Sequence, residues 1–445
     1  MTEERPDSPQ VSVARGTFLG VRADVVTAIS LVVVSVVLAR ALGPANRGIF
    51  FLGALVAAYA AIIGDLGMST AGVVYAANRR IALGHLHGVA VGFSVVAGAV
   101  AAVALLPFEG FWTDTVLKGL DTTVLILVCV GIPPLLYAQI MVAVLTGTGR
   151  VPATATLRTA QAIALPLLLT PVAVATGSPA WSLGAWLVTS VGYAAAIATY
   201  TVRQVTGPTL PSGETIRTMA SFGTRGYIGT LSHHGFLRID VFFLSARFGP
   251  AVVGLYSLAS VVAERISLIG QAVYAASANR VGSAPLQEAA ALTAQTVRLL
   301  LLVMTPAAAL MAVLSWPVFP LAFGRDFADA ALPFTLLLPG TVCLTVWHVT
   351  SLFIVSALRR PGTTTLIQGG ALLVSLPLYY LAVREASMTG AAIVSSVVYA
   401  SVLAMGLAVF VRNSPVSPRE LLPHRGDLSE AVAALRGSME GRPRA

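Results

Sequence analysis

Eight charged side chains interrupt the long apolar runs of this 445-residue sequence: Arg22, Asp24, Asp65, Arg225, Arg238, Asp240, Glu264 and Arg265. Placing such a charge at the centre of a bilayer costs about 2.5–3.5 kcal/mol on insertion scales, so each needs a partner, a wet cavity or a task. The guanidinium fork matches phosphate oxygens, which makes Arg22, Arg225, Arg238 and Arg265 candidates for holding an anionic group. Asp24, Asp65, Asp240 and Glu264 are candidate partners for those arginines, or sites for a proton or cation. Arg22/Asp24 and Arg238/Asp240 are two residues apart, about 200° around a helix, so neither pair can close on its own helix. Their partners must lie on other helices or in water. Two readings stay open: a hydrated, arginine-lined cavity, or structural ion pairs that fix helix packing.

The elements that position these charges follow from composition. Hydrophobic residues make up 56% and charged residues 11%. Counting the 40 glycines brings the apolar share to about 65%, against about 45–50% in soluble proteins. That excludes a water-soluble enzyme and a disordered chain. A bilayer core of ~30 Å needs ~20 apolar residues per helix. Runs of that kind cover about 17–41, 47–77, 85–107, 122–146, 153–176, 179–202, 216–246, 250–279, 292–316, 328–358, 363–383 and 387–411. The prediction is an all-α integral membrane protein with about twelve transmembrane helices, joined by loops too short for a soluble domain. Gly64-Asp65-Leu66-Gly67, inside the overlong second run, predicts a break there.

Residues 1–16 are polar and carry Glu3, Glu4 and Asp7, unlike the basic start of a cleavable signal peptide. With a cytoplasmic N-terminus, the inside segments hold eighteen basic residues. The outside segments hold six, namely Arg40, Arg47, Lys118, Arg247, Arg325 and Arg384. Both termini are therefore expected in the cytoplasm. The net charge of +9 is a topology signal on this reading, and no nucleic-acid partner is expected. In the polar tail 412–445, Asp427-Leu428-Ser429-Glu430 has the pattern of a helix start.

The two halves resemble each other. Gly43-Pro44-Ala45-x-x-Gly48 recurs as Gly249-Pro250-Ala251-x-x-Gly254, at an offset of 206. Ala39-Arg40 recurs as Ala246-Arg247, Arg150-Val151-Pro152 as Arg359-Arg360-Pro361, and Leu165-Pro166 as Leu376-Pro377. More loosely, Phe18 to Arg22 matches Phe222 to Arg225. The expected organisation is an N-terminal tail (1–16), a first lobe (17–202), a cytoplasmic linker (203–215), a second lobe (216–411) and a C-terminal tail (412–445). Six helices is an even number, so the halves would be parallel repeats about an axis along the membrane normal. All eight intramembrane charges fall on the first two helices of each half. Two such pseudo-symmetric six-helix bundles suit alternating access.

No metal site, Walker loop or nucleophile elbow is legible, and no cofactor is expected. His233 and His234 point to different helix faces and His348 stands alone in its helix, while His85 and His87 are expected in a cytoplasmic loop. Cys129 and Cys343 lie in apolar runs and imply no disulfide framework.

The motifs Leu38-Ala39-Arg40-Ala41-Leu42-Gly43-Pro44 through Gly48, Gly64-Asp65-Leu66-Gly67, Arg238-Ile239-Asp240, and Gly249 with Gly254 to Ala259 resemble one family. The chain, over about 15–411, is similar to the Wzx-type flippases among the exporters of the multidrug/oligosaccharidyl-lipid/polysaccharide superfamily. The resemblance implies a V-shaped, two-lobe, non-enzymatic transporter in the bacterial cytoplasmic membrane. It would carry a polyprenyl-pyrophosphate-linked oligosaccharide to the outer leaflet, with membrane lipids and polysaccharide synthases or a polymerase as partners. Cationic cavity residues are thought to engage the pyrophosphate in relatives, which here points to Arg22, Arg225, Arg238 and Arg265. A cation-coupled multidrug exporter of the same fold is the alternative. A lipid II flippase, usually built from more than twelve helices, fits less well. So does a membrane glycan polymerase, which needs larger outer loops than 108–121 and 317–327.

Overall fold

The computed structural model describes residues 13–424, apart from 206, 208, 209, 269, 271, 272 and 274–279. The helix start expected at Asp427 lies outside the described residues. Among those described there is no strand; the chain is a succession of helices. In order these are α1 (Val13–Asp65), α2 (Met68–Ala77), α3 (Leu83–Leu105), α4 (Glu109–Thr115), α5 (Thr122–Gly147), α6 (Val151–Thr176), α7 (Pro179–Val202), α8 (Gly213–Phe248), α9 (Pro250–Glu264), α10 (Leu286–Val318), α11 (Ala331–Leu352) and α12 (Pro361–Arg412).

Among the described residues, eight helical stretches are long and apolar enough to cross a membrane. Two of them bend once, α1 at Gly43 and α12 at Ser387. Dividing these two, and adding α8 and the 15-residue α9, which are not among the eight, gives one helical segment for each apolar run among the described residues. Val103, Leu321 and Leu366 are among the large apolar side chains left exposed, as a lipid-facing surface requires. The protein is a multi-pass membrane protein.

The bends are written in the sequence. Gly43 adopts φ 69°, ψ 177°, open to glycine and costly for other residues, and Pro44 then starts the next helical segment. Gly249 adopts nearly the same conformation, φ 82°, ψ −168°, before Pro250. The two repeat-related turns therefore share a backbone as well as a motif. The break expected at Gly64–Gly67 is present: Leu66 and Gly67 take φ of 46° and 80°, and α2 restarts at Met68. One run differs from expectation. The apolar stretch 250–279 does not continue as one helix, because α9 ends at Glu264 and a turn follows at Arg265.

The chain forms two compact units. The first gathers residues up to Val37, Gly53–Phe108 and Thr122–Arg225; the second gathers Leu38–Leu52, Glu109–Asp121 and Gly226 onward. In the first unit, Gly67 and Gly223 meet backbone to backbone. A Cβ on Gly67 would lie 2.3 Å from the Gly223 carbonyl oxygen, and one on Gly223 would lie 2.6 Å from that of Gly67. Tyr75 and Phe222 pack edge to face beside them, with ring centroids 5.6 Å apart.

In the second unit the two Gly-Pro turns pack reciprocally. A Cβ on Gly48 would lie 1.8 Å from the Pro250 carbonyl oxygen, and one on Gly254 would lie 1.9 Å from that of Pro44. Residue i of one copy meets residue j of the other and the reverse, the contact pattern of a local twofold axis.

Candidate functional site

The intramembrane charges are best followed unit by unit. In the first unit, Arg22 is exposed on α1 and has no polar partner among the described residues. Two positions on, the Asp24 carboxylate accepts a hydrogen bond at 2.6 Å from Arg158 Nη2 on α6. Both side chains of that pair remain substantially exposed, at 43% for Arg158 and 57% for Asp24. Arg158 Nε is buried without an acceptor. Asp65 is 4% exposed and sits at the break between α1 and α2. Its Oδ1 accepts from the Ser69 backbone N–H at 3.1 Å and from the Ser69 hydroxyl at 2.6 Å. Asp65 thus satisfies a first-turn donor of α2 and offsets the positive end of that helix. Arg225 lies on α8, and its side chain is outside the described residues.

In the second unit, Arg238 and Asp240 leave α8 in different directions, as their spacing requires. Arg238 Nη2 donates to Glu264 Oε2 on α9 at 2.6 Å, and Nη1 lies 3.4 Å from the Ser260 hydroxyl. The Arg238 side chain is 17% exposed and that of Glu264 32%. Arg265, half-buried, donates from Nε to the Val261 carbonyl one turn earlier at 3.3 Å. Glu264 therefore serves α8 rather than its sequence neighbour.

Asp240 is buried at 2% exposure and fully engaged. Oδ2 accepts from the Tyr256 hydroxyl at 2.5 Å and the Ser395 hydroxyl at 3.1 Å, while Oδ1 accepts from the Val241 N–H at 2.8 Å. Tyr379 closes the cluster through Ser395 at 3.0 Å. This network ties α8, α9 and the two halves of α12 together.

One residue departs from the loop accounting. Arg47, counted among outside turn charges, is 4% exposed and packed in the reciprocal glycine contact. Its Nη1 donates to the Gly254 carbonyl at 2.6 Å and the Ser257 hydroxyl at 2.7 Å. Arg40 remains exposed at the surface but is also committed, donating to the carbonyls of Leu321 and Ala322 at 2.6 and 2.8 Å. No local signal marks either role, because both sets of acceptors lie more than 200 residues away.

The histidines form no metal site; among the described residues no metal-competent cluster occurs. His348 is the one histidine of α11, and its ring packs on His233 of α8 at 5.8 Å, while Gln368 bonds His233 at 3.0 Å. His87 lies in the first turns of α3 rather than in a loop, and its Nδ1 bonds the Tyr137 hydroxyl at 3.1 Å.

The arrangement has a sign. In the first unit Arg158 engages the single carboxylate of Asp24, and Arg22 stays exposed. In the second, Arg238 engages the carboxylate of Glu264, and Arg265 bonds the Val261 carbonyl. The two remaining acids are buried and occupied.

The profile of the family described as polysaccharide biosynthesis protein matches residues 13–281, more than half of the chain. No curated protein matches the sequence. Among solved structures, the chain is similar to the lipid II flippase MurJ in an inward closed conformation, with TM-score 0.69 and 13% identity over 96% of this chain and 94% of that one. It is also similar to an inward-facing multidrug resistance MATE transporter of the MOP superfamily, with TM-score 0.64 and 16% identity over 87% of this chain and 94% of that one. A MOP superfamily transporter from Pyrococcus furiosus aligns with TM-score 0.57 and 14% identity over 91% of this chain and 96% of that one.

Proposed function

The chain belongs to the polysaccharide biosynthesis protein family, and from that premise we propose that it is a non-enzymatic membrane flippase for a polyprenyl-pyrophosphate-linked oligosaccharide. It moves the lipid-linked sugar from the cytoplasmic to the outer leaflet by alternating access between two six-helix lobes, 17–202 and 216–411. Both termini lie in the cytoplasm on this reading, and polysaccharide synthases or a polymerase supply or consume the substrate.

The observation that carries the proposal is that the described intramembrane carboxylates are occupied while Arg22 stays exposed. Every intramembrane carboxylate among those described is engaged: Asp24 by Arg158, Glu264 by Arg238, Asp65 by Ser69, and Asp240 by Tyr256, Ser395 and the Val241 N–H. A cationic drug would find no free acid. A pyrophosphate would find Arg22 open and could compete with Asp24 and Glu264 for Arg158 and Arg238. Exchanging one anion for another costs little net charge, so Arg238 and Arg265 can pass the pyrophosphate on without being left bare in the membrane. Arg225 is assigned to the same path from its place in the sequence.

The test is flipping by purified protein in liposomes containing a fluorescent polyprenyl-pyrophosphate oligosaccharide. Arg22→Ala and Arg238→Ala should lower the rate while Asp65→Asn leaves it near wild type. Export of cationic drugs lost with Asp65→Asn but unaffected by Arg238→Ala would replace this reading with a cation-coupled drug exporter.

A further inference from the structure

Within the first unit, α6 and α7 are antiparallel neighbours that do not close along their whole length. Ala160 and Ala164 on α6 face Gly192 and Ala196 on α7, and these small side chains leave a groove of about 510 Å³. That volume is in the range of ligand pockets, about 300–1,000 Å³. Leu167 and Val188 form an apolar rim, and both are exposed. The lining runs on α6 from Leu157 to Leu168, about 17 Å at the helical rise. That is roughly the depth of one leaflet of a ~30 Å hydrocarbon core.

A charge stands beside one end of the groove, outside its lining. Leu157 is its first lining residue on α6, and Arg158 follows it directly. Tyr193, which lines the α7 wall, lies within electrostatic reach of Arg158. The Arg158 guanidinium bonds Asp24 through Nη2 and keeps a buried Nε without an acceptor. Arg22 is exposed on the same stretch of α1 that carries Asp24. An apolar channel one leaflet deep with an arginine beside one end complements a lipid with a hydrocarbon chain and a phosphate head. Neither helix offers a carboxylate along the lining.

We propose that the α6–α7 groove holds the isoprenoid chain of the carrier lipid, with its phosphate at Arg158. The assignment rests on the lipid-linked substrate of the proposed function. It gives the chain a fixed track on the first unit while the sugar is handled elsewhere. Pro166 and Pro171 inside α6 remove two backbone donors and loosen the helix beside the groove.

Photo-crosslinking tests this on the full-length protein in nanodiscs, with a polyprenyl monophosphate carrying a diazirine in its chain. Labelled peptides should map to 157–168 and 188–196, and unlabelled polyprenyl phosphate should compete. Gly192→Leu fills the groove without a backbone clash, since nothing lies within 4 Å of a Cβ there. It should reduce labelling about tenfold, the loss of roughly two methylene contacts. Arg158→Gln should weaken labelling by the phosphate-headed probe and leave a neutral polyprenol probe unchanged. Equal labelling of the groove by a diazirine phosphatidylglycerol would overturn the assignment in favour of an ordinary bilayer lipid. Labelling insensitive to Gly192→Leu would overturn it too. If the protein flips the oligosaccharide lipid but the label falls elsewhere, the groove fails and the function stands. If the groove is labelled as expected but no flipping occurs, the site stands and the function fails.

Discussion

Replacing Gly254 by Ala strikes one of the tightest backbone contacts in the second unit. The new Cβ would sit 1.9 Å from the Pro44 carbonyl oxygen, and real Cβ atoms essentially never approach within 3.0 Å. The two backbones must therefore separate by about 1.1 Å, because a carbonyl in a helix cannot rotate away. Arg47 rides on the Pro44 segment, and its Nη1 bonds to the Gly254 carbonyl and Ser257 hydroxyl are 2.6 and 2.7 Å long. A shift of that size stretches both past hydrogen-bonding distance and strands a buried guanidinium. Overpacking costs about 1–3 kcal/mol and a lost bond to a charged group about 1.5–3 kcal/mol. The intrinsic gain of Ala over Gly in a helix offsets up to about 1 kcal/mol. The expected net loss is about 1.5–6 kcal/mol, read as unfolding of purified protein in detergent. Gly184→Ala, where nothing lies within 4 Å, is the matched control and should be neutral or slightly stabilising. Adding Arg47→Leu to Gly254→Ala should cost less than the sum of the two, because the stranded charge is then gone. If Gly254→Ala unfolds with the control, or if the double variant is additive, the reasoning is wrong.

Three further outcomes follow from the geometry. Tyr256→Phe removes the shortest bond to buried Asp240 and should destabilise by about 1–3 kcal/mol, whereas Asp240→Ala, which leaves Tyr256 and Ser395 unpaired, should cost more; detergent unfolding measures both. Asp65→Ala should lose about 0.5–2 kcal/mol through the first turn of α2, seen as faster hydrogen exchange over 68–71 with flipping retained. In the turn Pro418–Leu421, the Ser417 hydroxyl and backbone N–H hold the Glu420 carboxyl below its ordinary value of 4.5. A depressed carboxyl adds stability above that value and loses it as pH falls through the folded one. Limited proteolysis at 417–421 should therefore accelerate in acid below about pH 4.5, and Glu420→Gln should flatten the profile.

The fold was legible where local chemistry decides it. Gly43-Pro44 and Gly249-Pro250 could be read as repeat-related turns, and they share an unusual backbone conformation. Gly64-Asp65-Leu66-Gly67 could be read as a break, and the chain breaks there. The spacing of Arg238 and Asp240 correctly implied partners on other elements. The identities of those partners were not legible, because Asp24 meets Arg158 and Asp240 meets Ser395 across separations that helical periodicity does not encode. Arg47 was missed for the same reason: counting loop charges assumes that a charge between apolar runs is wet. Asp65, a candidate arginine partner or ion site, bonds Ser69 four residues on, a spacing that a helix turn brings within reach.

The central claim is that the intramembrane arginines serve a phosphate-linked lipid, the acids being too occupied to serve a cation. The most direct measurement is the transbilayer rate of a fluorescent polyprenyl-pyrophosphate oligosaccharide in liposomes, for wild type and Arg238→Ala, with a cationic dye as a parallel substrate. The account predicts flipping of the oligosaccharide lipid by wild type, a marked loss with Arg238→Ala, and no dye transport by either. Dye transport by wild type together with no flipping of the lipid would contradict it.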